Sequence, residues 1–458
     1  MSIAKPEQTA AAGGSRARWA GGCLLGAAAL AGISCGQRNL AVISLADVPS
    51  SATAITAYYR LDGGEWKNVV PQRGLQQFGI ELPKDRSAKL ETQVFSYNNH
   101  VPCSLGSASG TADLDGGSIR ELALNMGATT SRCTTAAEPA DFPRGKLAVW
   151  ANTASDIWIA GAGGRILHWD GSSYAKIPLP QQLAASPPDW NAIWSNGVDV
   201  WIVGSNSAVV RYERGALSYV PLLTPIVGPT DWRAIDLASM ATGGLVLVGS
   251  NRTIGLTGPT VKGVGQYALS CGAVTPPGDL TSVGCGVIGS QFLCILVTDG
   301  GGIAALQQSP ICRNIKSPTT KALLDVYVGV NLNEQAFDVR IVGKGGYALR
   351  GLAQVVSGMD PNFTAAGTDY SAFIPQGTPV DLNQVGGSGL DDLWIAGQGG
   401  VLIRWPNTPS TMPPTGKFAL TPTGTTADLS SLSAFGGNLF FGGSATTLGY
   451  LGPLFTPN

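Results

Sequence analysis

The chain has 458 residues, with 29 Lys and Arg against 30 Asp and Glu, a formal balance of −1. That excludes tracking of a nucleic-acid backbone, which needs a large cationic excess. Charged residues make up only 13 %, while 44 % are hydrophobic and 62 are Gly, so low charge goes here with buried cores rather than with disorder.

Lys5, Arg16 and Arg18 precede an uncharged run of 16 residues, Trp19 to Ser34. The run is shorter than the ~20 apolar residues of a spanning helix and suits a signal-peptide core. It ends at Gly32-Ile33-Ser34-Cys35, followed by Gly36-Gln37-Arg38. This resembles the bacterial lipobox, although Gly32 stands where that family prefers Leu. The resemblance implies cleavage before Cys35, lipidation of Cys35 and anchoring in the bacterial cell envelope. Gly36 resembles lipoproteins sent on to the outer membrane. Residues 1–34 are then the signal peptide and 35–38 the lipidated N-terminus; an ordinary secreted protein and a retained anchor are the competing readings. Two acyl chains hold a protein stably where one would not.

Six cysteines remain after Cys23 and Cys35: Cys103, Cys133, Cys271, Cys285, Cys294 and Cys312. An even number in an oxidising compartment reads as a set of disulfides. No Cys-x-x-Cys pair occurs, and His100 and His168, the two histidines, lack ligand spacing, so no metal and no cofactor are expected.

Residues 39–127 alternate with period 2 at 40–49, 53–61, 77–82, 89–97 and 119–125, with turn dipeptides Asp62-Gly63 and Asp115-Gly116 between strands. Short strands with frequent turns suggest an immunoglobulin-like β-sandwich, and the pattern resembles the small sandwich modules that follow the lipobox in many exported bacterial proteins. A linker, 128–145, carries a stretch rich in Thr, Ala and Pro.

From Lys146 the chain repeats. The clearest copy runs Leu147-Ala-Val-Trp150 … Asp156-Ile-Trp158-Ile-Ala-Gly161-Ala-Gly163-Gly164 … His168-Trp169-Asp170-Gly171. Copies align on Gly161, Gly204, Gly249, Thr298, Gly343, Gly397 and Gly442, at steps of 43, 45, 49, 45, 54 and 45 residues. A period of about 40–50 with about four strands per unit signals a β-propeller. Seven anchors predict a seven-bladed β-propeller over 146–458, so the fold class is all-β, a sandwich followed by a propeller. The longest step holds 354–377, which reads as a long loop above one face. Asp156, Asp199, Asp338 and Asp392 precede their anchors by five residues and read as turn carboxylates accepting backbone N–H bonds. Trp158, Trp201 and Trp394 read as packing between blades. The pairs Gly163-Gly164, Gly345-Gly346 and Gly399-Gly400 supply positive φ. The whole pattern resembles the Trp- and Gly-rich propellers of exported bacterial proteins, akin to photosystem-assembly-factor and sialidase-type propellers.

Seven residues past the anchor stand His168, Arg211, Arg350 and Arg404. They are candidates for a ring around an anionic ligand, as in the arginine cluster of sialidases. The alternative is cations stacked on neighbouring aromatic rings. No sialidase Asp-box occurs, Asp391-Asp392 point to opposite faces of a strand, and neither histidine sits in a nucleophile-elbow context. An enzyme is not expected. The expected function is a non-catalytic, membrane-anchored binding or scaffolding platform for a protein or glycan, with no nucleic acid. A glycan-active propeller enzyme and a purely structural envelope protein are the alternatives.

In the fourth repeat, a two-residue turn at Gly289-Ser290 places Cys285 directly opposite Cys294, with Cβ atoms ~4.5–5.5 Å apart, the closer end of which a disulfide can bridge. That leaves Cys271 for Cys312 and Cys103 for Cys133. The competing reading makes Cys285 and Cys294 small buried hydrophobes.

Overall fold

The computed structural model describes residues 39–126 and 142–451, less short internal stretches, the longest of them 70–76, 355–361, 406–417 and 419–425. Cys35, Cys133, the signal segment and most of the linker lie outside the described residues, as does the side chain of Cys103.

The N-terminal part is two facing sheets. One has three strands in the order Gln77–Leu82, Asn39–Ala46, Ile119–Asn125, the second pair parallel. The other is antiparallel, in the order Lys67–Val69, Ala54–Leu61, Ala88–Asn98, Val101–Leu114. Alternate residues Ala41, Ile43 and Leu45 meet Ala57, Leu90 and Val94 in one apolar core. Two of these strands escape the period-2 reading. Lys67–Val69 is three residues long, and Val101–Leu114 consists mostly of Ser, Gly, Ala and Thr, which carry little apolar contrast.

Among the described residues, seven successive sheets follow. Their innermost strands are Ala148–Thr153, Trp190–Ser195, Trp232–Ser239, Leu280–Ile288, Leu323–Asn331, Leu382–Gly389 and Leu429–Phe435. Each packs on the next, and the last returns to the first, so the sheets close a ring. The cores lie between neighbouring sheets. Ala148, Trp158 and Ala160 of the first sheet pack with Trp190, Ile202 and Val210 of the second, for example. Such interleaved burial, at ~25 cal/mol per Å² of apolar area, is what holds a ring with no central core together.

The repeat anchors end the second strand of each sheet. A Cβ at Gly204, Gly249 or Gly343 would come within 2.3, 2.4 and 2.4 Å of the carbonyl oxygen of the residue before the inner strand, so only glycine fits there. In the seventh copy the residue under this constraint is Gly443, 2.2 Å from the Asp428 oxygen, and the expected anchor Gly442 is one residue early. The glycine pairs behave as expected, with φ of 68° and 74° at Gly163-Gly164 and of 63° and 72° at Gly345-Gly346.

Residues 354–377 are not one long loop. Asn362–Asp369 forms the outermost strand of the fifth sheet, paired with Tyr347–Gln354. An outermost strand needs little apolar contrast, and Asn-Phe-Thr-Ala-Ala-Gly-Thr-Asp shows little. The third sheet gains an edge strand, Leu222–Thr224, parallel to Val264–Ala268.

In the fourth sheet Ile288 pairs with Gln291 and Cys285 with Cys294, and the two cysteines are bonded. Cys271, just past the third sheet's strand Val264–Ala268, is bonded to Cys312 in the fourth sheet's outer strand Ser309–Ile315, which ties two neighbours together.

Candidate functional site

The four basic candidates sit on the third strands of their sheets, each directly across from a second-strand residue: His168 from Trp158, Arg211 from Trp201, Arg350 from Arg340 and Arg404 from Trp394. His168 stacks on Trp158 at 4.3 Å, and the Arg211 and Arg404 guanidinium carbons lie 5.3 and 5.9 Å from their Trp ring centroids. The first three also reach the carboxylate at the start of the second strand. His168 Nε2 meets Asp156 Oδ1 at 2.8 Å, Arg211 Nη2 donates to Asp199 Oδ2 at 2.8 Å, and Arg350 donates to Asp338 Oδ2 from Nε at 3.2 Å and Nη2 at 2.8 Å. Each cation is thus held within its own sheet, and the structure does not bring the four together. The carboxylates take side-chain donors, including the indole N–H of Trp158 and Trp394 at 2.8 Å each, rather than the backbone N–H bonds expected of turn residues.

What the ring brings together is the set of inner strands. In six of them the ladder breaks after the first residue, leaving Asn191, Arg233, Thr281, Leu324, Asn383 or Ser430 as an extra residue in a β-bulge. Five of these side chains turn to a carbonyl on the next sheet: Asn191 Nδ2 to Trp232 O at 2.8 Å, Arg233 Nη1 to Leu280 O at 3.3 Å, Thr281 Oγ1 to Leu323 O at 2.7 Å, Asn383 Nδ2 to Leu429 O at 2.7 Å and Ser430 Oγ to Leu147 O at 3.3 Å. Deeper side chains accept in return. Val385 N–H donates to Asp325 Oδ2 at 2.8 Å, Cys285 N–H to Asp236 Oδ2 at 2.7 Å and Val149 N–H to Ser431 Oγ at 2.8 Å. An inner strand is a sheet edge, so its unpaired N–H groups need such partners.

These strands enclose a channel with a cavity of about 360 Å³. A mouth of about 650 Å³ opens where the inner strands begin, and Lys146, Asn191, Arg233, Thr281, Asn383 and Ser430 line both. At the rim, Asp189, Asp231, Asp381 and Asp428 each accept a backbone N–H from the loop of the preceding sheet, at Gly163, Asn206, Gly345 and Gly399. Arg233 lies 3.5 Å from both Asp279 and Asp299.

No family model matches the chain, and no curated protein matches it. Among solved structures, YCF48 from Cyanidioschyzon merolae is similar at 16 % identity with a TM-score of 0.51, over 69 % of this chain and 98 % of that one. The Cps50 (Swd1) β-propeller domain from Myceliophthora thermophila is similar at 10 % identity with a TM-score of 0.50, over 68 % and 97 %. At such identities the likeness concerns fold alone. The ring is a β-propeller.

Inside the propeller, Asp236 and Asp325 are surrounded by protein, and their accessible surface faces the channel. Burial raises both carboxyls, Asp236 to about 7 against its backbone hydrogen bonds and Asp325 to about 6 against that of Ser282. Burial lowers the Lys146 ammonium. None of these three residues stands out in the sequence. Among the described residues no cluster of metal-ligating side chains occurs, and no helix is long and apolar enough to cross a membrane.

A pH dependence follows. In the unfolded chain both Asp carboxyls ionise near 3.8. The propeller holds its protons to higher pH, so this contribution to stability is complete below about 3.8 and is lost as pH rises through about 6 and 7. Thermal unfolding between pH 4 and 8 should show Asp236→Asn with a flatter pH profile than the unaltered chain. Parallel profiles would mean that Asp236 is ionised throughout.

Proposed function

We propose that this protein is a non-catalytic binding platform, a seven-bladed propeller over 146–458 carried behind an immunoglobulin-like sandwich over 39–127 and anchored through a lipid on Cys35 in a bacterial outer membrane. The supporting observation is the mouth of the channel. It is a concavity of about 650 Å³ lined mostly by polar residues on a closed ring, with rim carboxylates that fix the loops around it. A scaffold that positions loops by hydrogen bonds is suited to presenting them to a macromolecule. The partner proposed is a protein or a glycan, engaged on the mouth face.

The anchoring part is tested by replacement. Cys35→Ser should move the protein from the membrane pellet to the soluble exported fraction. Retention of Cys35→Ser in the pellet would end the lipobox reading. The absence of catalysis is tested on a glycan panel, where no turnover is expected. Turnover of any panel member that is lost on substitution of a channel residue would favour the glycan-active alternative.

A further inference from the structure

The inner wall of the propeller carries two carboxylates at different depths. Asp325 follows the bulge of the fifth inner strand by one residue, and Asp236 follows that of the third by three, so Asp236 lies about 6–7 Å deeper along the strand direction. The fourth inner strand bridges them, with Ser282 donating to Asp325 and the Cys285 N–H donating to Asp236.

Each carboxylate oxygen can accept more than one hydrogen bond. Asp236 takes one backbone N–H on each oxygen, from Leu237 and Cys285, and Asp325 takes the Ser282 hydroxyl on one and the Val385 N–H on the other. Among the described residues no cationic side chain hydrogen-bonds either. The channel hydroxyls of Thr281, Ser282 and Ser430 spend their single protons on carbonyls or on Asp325. Carboxylate oxygens with spare lone pairs therefore face a cavity also walled by Trp150 and Tyr327, whose ring faces favour cations. Lys146 acts on Asp325 through space without a hydrogen bond to it, and an enclosed carboxylate with no bonded cation is costly.

We propose that the channel binds a small aliphatic diammonium ligand, one ammonium at Asp325 and the other at Asp236, with the hydrocarbon between them in the cavity walled by Trp150 and Tyr327. The site is separate from whatever macromolecule the mouth face engages. Lys146, at the mouth, competes as the resident cation, and Arg233 is turned to Asp279 and Asp299.

The test is calorimetric titration of the full-length protein in detergent with 1,4-diaminobutane, butane-1,4-diol and succinate. Saturable binding is expected for the diamine alone. The diamine keeps both charges from pH 5 to 8 while Asp325 and Asp236 ionise across about 6 and 7, so affinity should rise at least tenfold over that range. Asp325, Lys146, Arg233 and Tyr327 are the other ionisable groups around Asp236 in the channel. Asp236→Asn should weaken binding at least tenfold, and Lys146→Gln should strengthen it. Because Asp236→Asn could unfold, the pH series and Lys146→Gln stand on their own. No saturable diamine binding, equal binding of the diol, binding of succinate, affinity that does not rise with pH, or weaker binding in Lys146→Gln would each overturn the proposal.

Discussion

Asp338→Ala is expected to destabilise the fifth blade by about 3–5 kcal/mol, the range for removing one partner of a buried ion pair. Asp338 is completely buried, and its Oδ2 accepts from Arg340 Nη2 at 3.0 Å and from Arg350 Nε and Nη2 at 3.2 and 2.8 Å. Arg340 is also fully buried, with its guanidinium 5.1 Å from the Trp405 ring centroid on the next blade. Without the carboxylate, two buried guanidinium groups lose the anion they share across an apolar seam. The same position in the first blade gives a smaller effect. Asp156 is half-buried, so Asp156→Ala should cost about 1 kcal/mol, as for a partly solvated hydrogen-bonded carboxylate. Chemical denaturation of the two variants measures the contrast, and equal losses would show that burial does not govern this row of carboxylates.

Removing the Cys271–Cys312 bond should cost more than removing Cys285–Cys294. The first closes a loop of sequence separation 41 and the second one of separation 9. On loop entropy alone these correspond to about 4 and about 2.5–3 kcal/mol. The longer bond also joins the third and fourth blades, so its loss should let the outer edge of the ring open locally. The Cys271→Ala/Cys312→Ala and Cys285→Ala/Cys294→Ala pairs, compared by denaturation and by hydrogen exchange in Ser309–Ile315, decide the order. Faster exchange there in the second pair than in the first would contradict it.

The repeat was legible because its constraint is steric. A Cβ at the anchor meets a carbonyl oxygen in blade after blade, so glycine recurs, and Thr298 is the exception. The Cys285–Cys294 register was legible because a two-residue turn fixes every pair in its hairpin. The channel was not legible. Asn, Arg, Thr and Ser all serve to reach the same neighbouring carbonyl, and these residues precede the glycine or Thr at the end of the second strand by 13 to 17 positions as the hairpin between them changes length. Column alignment therefore scatters them. Asp236 and Asp325 suffer the same loss, since a lone Asp in a strand looks like a solvent-facing residue until the ring closes around it. The basic row at His168, Arg211, Arg350 and Arg404 was visible for the opposite reason, its constant distance from the anchor, but constant spacing placed each cation against its own blade rather than against a shared centre.

The platform reading turns on the mouth face, and site-specific photo-cross-linking in intact cells tests it most directly. Cross-linking side chains at Lys321 and Lys344, on loops beside the mouth, are compared with ones at Val198 and Leu332, which are 77 % and 75 % exposed on turns at the other ends of the inner strands. A discrete cross-linked product from the first two positions and none from the second two is the predicted result; a product of equal yield from both faces, or from neither, would contradict it.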